Sequence, residues 1–436
     1  MLYASSDRTR GVHRVGCRIL ALAMSAAALI SCGSDAAQSS ATDAGVAPPD
    51  DAAEAAPAEV CNFKDDNGDG QVDEGFRWVV RPPKHVWTTT RFAIQLKALP
   101  LADGSVAVMV VDGVGEPTDR IAVLRVSPTG ALEGNPTMLE TPLSGPKSTG
   151  FGLVDDSTLG VISGSEDYAG CTAGCPVTFD RLGSTDLSLK DERVLDFGFP
   201  VGFCGSLACA SGSCATVAVD ASTTAPHLIW FDPDTGSVKQ DRTLPGNYGT
   251  PALAGSDAVA WVSGTKPDQA GNPTYVNFGV WSLDGATQLL APREVYATAS
   301  GTDLAPAQDL ASVRWLGSNL LLSMSAVSST ASSVLLTVRS RDGNDVADSA
   351  VGGAGIGAVT GVGVGANVLA ATVVKPFGVD LHRLQADLKP VNAPGNPIEV
   401  DTGAVYLELV PTGQSALLIT ANYDGRSVDS WEVACP

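Results

Sequence analysis

Between residues 76 and 436 one pattern recurs seven times: a β-rich run, a tight turn, an apolar run, a gap, and a further β-rich run that usually closes in a second turn. The tight turns stand at Asp103-Gly104, Asp155-Asp156, Ser211-Gly212, Gly255-Ser256, Gly317-Ser318, Gly365-Ala366 and Thr412-Gly413. They lie roughly 43 to 62 residues apart, the period of a structural repeat. An apolar run follows each turn, at 106–111, 159–162, 215–219, 258–262, 320–324, 368–374 and 416–419. These runs do not alternate apolar with polar residues. A strand with one wet face would alternate, whereas a strand covered on both faces need not. The last runs of the units, from 121–126 to 428–433, mostly end in turn residues such as Pro128-Thr129-Gly130, Asp284-Gly285 and Asp342-Gly343. No stretch carries a helical period of useful length. In a β-propeller, four-stranded blades stack face to face around a channel, which covers their middle strands on both sides. The expectation is therefore an all-β chain whose residues 76–436 form a seven-bladed β-propeller. Six or eight blades, a solenoid or tandem β-sandwiches are the alternatives that the pattern leaves.

The seventh unit supplies three strands and then the chain ends, while residues 76–80 (Phe-Arg-Trp-Val-Val) belong to no unit. The spare strand is expected to pair antiparallel beside residues 428–435 and so close the ring. Charged residues that fall on the innermost strands would line the channel. Lys97, Arg314 and Glu408 are the candidates, although solvated rim charges are the plainer reading of all three.

The front of the chain is of another kind. Arg8, Arg10, Arg14 and Arg18 precede an apolar run at 19–30, which is of signal-peptide length and short for a bilayer span. The run ends in Leu29-Ile30-Ser31-Cys32. This resembles the lipobox of bacterial lipoproteins. The resemblance implies cleavage after residue 31 and lipidation of Cys32. Residue 33 is Gly, not the Asp that in this family retains a protein at the inner membrane, so the expected location is the outer membrane, on its periplasmic or cell-surface side. Several acyl chains anchor a protein stably where one would be marginal. From 32 to 59 the chain is Ala, Asp, Pro, Ser and Gly with almost nothing large and apolar. Such a segment cannot bury enough surface to offset its ordering entropy, and a disordered tether is expected.

Residues 60–75 are acidic. Asp65, Asn67 and Asp69 alternate, Gly70 follows, and Asp73 comes three positions later. A calcium loop places oxygen ligands at alternate positions around the ion, with Gly at the sixth position for the sharp turn. Counting from Asp65 puts Gly70 at six, the Gln71 carbonyl at seven and Asp73 at nine. Position twelve is Phe76, so this is not an EF-hand, and Glu74 would serve only with a different wrap. The stretch resembles the MopE-type metal-binding motif of secreted bacterial proteins. The matching residues are Cys61, Asn62, Asp65, Asp66, Asp69, Gly70, Asp73, Glu74 and Gly75. Phe63 stands where the motif has Gly, and Gly68 where it has its second Cys. The resemblance implies a divalent cation, expected to be calcium, held by Asp65, Asn67, Asp69, Gln71, Asp73 and Glu74. Loss of the second Cys leaves Cys61 available to another partner, and Cys435, beside the last strand, is the expected one.

Seven cysteines remain beyond Cys17 in the signal and Cys32, in a compartment that favours disulfides. Cys209 and Cys214 flank four residues of turn character and are expected to bridge a hairpin. One of Cys171 and Cys175 is a candidate partner for Cys204. No Cys-x-x-Cys pair argues for zinc.

Beyond the signal only His85, His227 and His382 occur, in different units, and neither Gly-x-Ser-x-Gly nor His-Glu-x-x-His is present. The glycine-rich stretches at 353–358 and 361–366 precede no helix and read as close strand packing. With 27 Lys+Arg against 48 Asp+Glu, the net charge of −21 argues against nucleic acid as a partner. These readings describe a monomeric, surface-tethered lipoprotein. Its propeller would be a non-enzymatic binding or scaffold module for a protein or polysaccharide, with a weak calcium-type site in the N-terminal loop. The alternative is a propeller enzyme, a hydrolase or lyase, acting on an extracellular substrate at the central channel.

Overall fold

The computed structural model describes residues 61, 66, 76–89, 93–112, 120–140, 147–165, 177–210, 212–246, 248–265, 275–297, 303–304, 311–327, 332–352, 359–364, 367–374, 378–391, 396–413, 415–422 and 426–435. Outside them lie the expected export signal, Cys32, the expected tether, the expected ion ligands Asp65, Asn67, Asp69, Gln71, Asp73 and Glu74, and also Cys171 and Cys175. The described residues contain strands and turns and no helix.

The strands form seven antiparallel sheets, each built from consecutive hairpins. Blade 1 comprises Ala93–Pro100, Val106–Asp112, Arg120–Val126 and Leu132–Glu140. Blade 2 comprises Lys147–Asp155, Thr158–Ser165, Val177–Gly183 and Leu189–Leu195. Blade 3 comprises Val201–Ala210, Ser213–Asp220, Pro226–Phe231 and Val238–Thr243, and blade 4 Tyr248–Gly255, Ala258–Thr265, Tyr275–Ser282 and Gln288–Ala297. Blade 5 opens with Ala311–Leu316, flanked by the short Asp303–Leu304, and continues through Asn319–Val327, Ser332–Ser340 and Asp345–Gly352. Blade 6 comprises Val359–Val364, Asn367–Val374, Gly378–Leu384 and Ile398–Asp401. Blade 7 supplies Ala404–Pro411, Ala416–Asn422 and Ser427–Ala434. The first strands of successive blades touch one another round a closed ring, blade 7 meeting blade 1. The architecture is a seven-bladed β-propeller.

Its core is divided. Seven separate hydrophobic clusters correspond to the seven interfaces between blades. Blade 1 shows why the apolar runs do not alternate. Every residue of Val106–Asp112 is buried. Val106, Val108 and Val110 pack toward blade 7, and Ala107, Met109 and Val111 toward blade 2. Burial of each such side chain is worth about 1.5–3 kcal/mol, so both faces of a middle strand are under the same constraint. The outermost strands keep alternation, as in the exposed and half-buried pattern of Leu189–Leu195.

The turn between third and outer strands repeats one device. Gly130, Leu187, Gly236, Gly285, Gly343 and Leu388 all have positive φ, between 55° and 90°. Gly285 lies over the indole of Trp230 in blade 3, which a Cβ would meet at 2.6 Å. At the two leucines the left-handed backbone is unfavourable, but their side chains are 2% and 1% exposed and join the cores between blades 1 and 2 and between blades 5 and 6. In the first case the preceding blade supplies the bulk, and in the second the turn does.

Blade 7 is completed from the other end of the chain. Val79 pairs with Ala434 and Val80 with Val433, antiparallel as expected. The closing strand goes further than expected: Lys84–Thr88 pairs along Ser427–Ser430. Between the two segments Pro82 and Pro83 have no N–H to give the ladder, while Arg81 N–H bonds Glu432 O at 2.9 Å. Cys61 and Cys435 form a disulfide with Cα atoms 5.6 Å apart, within the usual span for such a bridge. It stands where the other blades have the turn between third and outer strands. The guanidinium of Arg383, on the third strand of blade 6, lies 4.1 Å from the ring centre of Trp78 and donates to Phe76 O at 3.0 Å. Arg125 of blade 1 makes the corresponding bond to Ser184 O in the turn of blade 2.

Candidate binding channel

The innermost strands enclose a cavity of about 780 Å³, walled by the halves of these strands that lead into the tight turns. Lys97, Arg314 and Glu408 all line it. They come from blades 1, 5 and 7, two neighbours and one blade beyond. Arg314 Nη2 donates to Glu408 Oε2, and its Nη1 donates to Leu409 O at 3.4 Å. Lys97 Nζ lies 3.9 Å from Glu408 Oε1. The Glu408 side chain is 10% exposed and the two cations 26% each. The plainer sequence reading, solvated rim charges, is therefore corrected: the carboxylate is nearly covered and sits between two cations. Membership of the innermost strands was visible in the sequence. The convergence was not, because it depends on how the blades face one another.

Several local features let these strands meet. Gly361 of blade 6 faces Leu321 of blade 5, which a Cβ would meet at 3.0 Å. Blade 6 thus presses onto blade 5 and adds Val362 to the wall. Of the glycine-rich 361–366 stretch the described part, 361–364, is strand, as its lack of a following helix implied. Between blades 2 and 3, Cβ atoms on Gly150 and Gly152 would strike Ser206 O at 2.7 Å and Leu207 O at 2.5 Å. Ser206 is the extra residue of a bulge, with φ 55°, and its carbonyl accepts from Thr216 Oγ1 at 2.9 Å. The bulge pushes the blade 3 strand inward, and the two glycines receive it. Gln95 and Thr149 hydrogen-bond side chain to side chain across blades 1 and 2.

Toward the tight turns the wall carries Asp155, Asp156 and Cys209. Burial alone would raise the Asp155 carboxyl, but hydrogen bonds from Ser157 Oγ and N–H outweigh it and hold the group below its ordinary range. Cys209 and Cys214 face each other across the blade 3 hairpin and form a disulfide, as their spacing suggested. Cys204 is buried on the same first strand.

The histidines lie elsewhere. His85 binds Asp429 at 3.1 Å on the closing strand, and His227 binds Asp241 at 2.8 Å on the outer part of blade 3. His382 is on the third strand of blade 6, with its pKa lowered by burial. Among the described residues, no three His, Cys, Asp or Glu side chains are grouped to hold a metal ion, and no helix is long and apolar enough to cross a membrane.

No protein-family model matches the chain, and no curated protein matches it either. Solved structures do match in fold. The hydrazine synthase of Kuenenia stuttgartiensis aligns at 11% identity and TM-score 0.48, over 78% of this chain and 96% of that one. The Dos1 propeller aligns at 11% identity and TM-score 0.48, over 82% and 96%. The β-propeller domain of the Trilobed protease from Pyrococcus furiosus, described as having an open velcro topology, aligns at 8% and 0.45, over 80% and 94%. At this level the likeness concerns fold alone.

Proposed function

We propose that the chain is an exported, lipid-anchored propeller that binds rather than transforms its ligand, with the channel as its binding site. The observation that carries the reading is the convergence of Lys97, Arg314 and Glu408 in a cavity of about 780 Å³, a size within the range of small-molecule sites. Charges that only kept the rim wet would not meet from three blades. No histidine lines the cavity among the described residues, and Cys209 is tied to Cys214. The two disulfides among the described residues agree with an oxidising compartment. The lipobox-like Cys32 supplies the anchor to the outer membrane, and Asp65, Asn67, Asp69, Gln71, Asp73 and Glu74 supply a weak calcium site near the start of the propeller.

Fractionation tests the anchor. The native chain is expected in the detergent-soluble membrane fraction, and Cys32→Ala is expected unprocessed or in the soluble fraction. A Cys32→Ala protein that still partitions with membranes would end the lipoprotein reading.

A further inference from the structure

We propose that the channel takes a neutral mono- or disaccharide and that the hydroxyl of Ser206 selects for it. This rests on the reading of the channel as a binding site and names its ligand class. The starting point is a strained residue whose strain the fold does not explain. Among the described residues, four that are not glycine have a left-handed backbone: Leu187, Ser206, Thr224 and Leu388. Burial of the side chain offsets the strain at the two leucines. Thr224 stands in a turn, with its hydroxyl bonded to Thr223 O at 2.6 Å. Ser206 is half-buried and lines the cavity. Its carbonyl accepts from Thr216 Oγ1, and its hydroxyl makes no hydrogen bond among the described residues. A glycine would adopt this backbone freely and would offer Thr216 the same carbonyl. Only the hydroxyl is particular to serine. Bulges re-aim side chains and gather beside functional sites. Gly150 and Gly152, which receive this one, are two further departures from ordinary strand construction at the same point of the wall.

The ligand class follows from what faces the same cavity. Arg314 donates through Nη2 to Glu408 and through Nη1 to Leu409 O. That leaves Nε–H and the second hydrogen of each Nη to donate into the channel, where the side chain is 26% exposed. Asp156, exposed at the tight-turn end, presents acceptors. Ser206 offers one donor and two lone pairs. Donors and acceptors thus reach the cavity from blades 5, 2 and 3. Phe151, Leu207 and Leu253, each nearly covered, give the wall an apolar surface. A sugar ring carries hydroxyls that both donate and accept, and C–H faces that lie on such a surface.

An array of neutral mono- and disaccharides, followed by isothermal titration of the purified full chain with the sugar it retains best, tests the proposal. At least one neutral sugar is expected to bind. Ser206→Gly keeps the backbone of the bulge and the acceptor for Thr216. It is expected to bind that sugar about tenfold more weakly, the loss of one hydrogen bond, while its thermal midpoint stays level or rises. Monodeoxy derivatives of the sugar give the matching comparison. One of them is expected to lose affinity for the native chain but not for Ser206→Gly, because the missing hydroxyl is the one that Ser206 meets. Should Ser206→Gly fail to fold, Ser206→Ala takes its place in both titrations. Retention of no neutral sugar, or unchanged affinity in the serine variant, overturns the inference. Titration with charged small solutes, free amino acids and dicarboxylates, then decides the wider reading: binding of one of them leaves the channel a site for another class of ligand, and binding of none removes that reading as well.

Discussion

Asp180, on the third strand of blade 2, is 5% exposed, and its carboxyl is pushed up to about 7, first by burial and then by Glu192 and Asp191. Glu192 is its direct partner across the strand pair. The folded state therefore binds a proton that the unfolded chain has released above its ordinary value of 3.8. Stability is fully present below that value and is lost as pH rises through about 7. Asp103 and Asp186 act with the opposite sign. Hydrogen bonds from Ser105 and Ser188 hold them below the ordinary range, so their contribution vanishes as pH falls below it. Asp380, raised by burial and Glu399, adds to the Asp180 slope. Asp180→Asn is expected to raise stability at pH 8 by about 2 kcal/mol, roughly half of what the full shift corresponds to, since relaxation around a buried charge lowers its penalty. Urea midpoints at pH 5 and pH 8 check this. The native protein should weaken toward pH 8 and Asp180→Asn should weaken less; equal slopes would show that Asp180 does not carry the effect. A second residue-scale expectation concerns the approach of blades 2 and 3. Gly152→Ala would place a methyl 2.5 Å from Leu207 O, and overpacking of this kind costs about 1–3 kcal/mol. Its thermal midpoint should fall, whereas Gly212→Ala, in the open turn where a Cβ meets nothing within 4 Å, should lose only the smaller penalty of its left-handed backbone.

The closing strand is the element on which the ring depends. Trp78 is 2% exposed, belongs to the core between blades 6 and 7, and stacks under Arg383. Trp78→Ala should cost about 3–5 kcal/mol and release the edge of blade 7 before the rest. Hydrogen exchange would then show the amides of Ser427–Ala434 losing protection ahead of the other third strands. Uniform loss in every blade would mean that the closing strand does not open as its own unit. Part of this element was legible in the sequence. Val79 and Val80 are apolar, β-branched and unclaimed by any repeat, so their pairing followed from counting strands. Lys84–Thr88 was not visible, because Arg81-Pro82-Pro83 interrupts the run and only Val86 of the five is buried. The tight turns at Asp103-Gly104, Asp155-Asp156, Gly255-Ser256, Gly317-Ser318 and Thr412-Gly413 were legible because turn chemistry is local to residues such as Gly, Asp and Ser. Leu187 and Leu388 were not, because a left-handed leucine is tolerable only through the core of the preceding blade, which the local sequence does not contain. The same limit applied at the channel: Arg314 and Glu408 could be placed on innermost strands, but their contact is set by the angle between blades 5 and 7.

At the scale of the whole molecule the two disulfides among the described residues do different work. Six blades have their third and outer strands joined by the continuous chain. In the seventh those strands come from opposite ends, and Cys61–Cys435 is the covalent link in the place of the turn. Its sequence separation is 374, against 5 for Cys209–Cys214. A crosslink restricts the unfolded chain more the longer the loop it closes, and the simple chain estimate gives about 6 kcal/mol for the first bridge and about 2 kcal/mol for the second. Measured values usually fall short of that estimate, but the order should hold. The paired substitution Cys61→Ser with Cys435→Ser is expected to lower the denaturation midpoint well below that of Cys209→Ser with Cys214→Ser, and to bring earlier loss of protection along the closing strand. The hairpin pair has another constraint in reserve, since Cys209 and Cys214 sit in register between strands that remain hydrogen-bonded on either side. Among the described residues, blade 7 has only the short Val79–Val80 ladder between the disulfide and the proline break. Comparison of the two double variants in the same urea series decides the matter. Equal losses would mean that the ring is held by its seven apolar interfaces alone and that the bridge between the two ends of the propeller adds nothing a hairpin bridge does not.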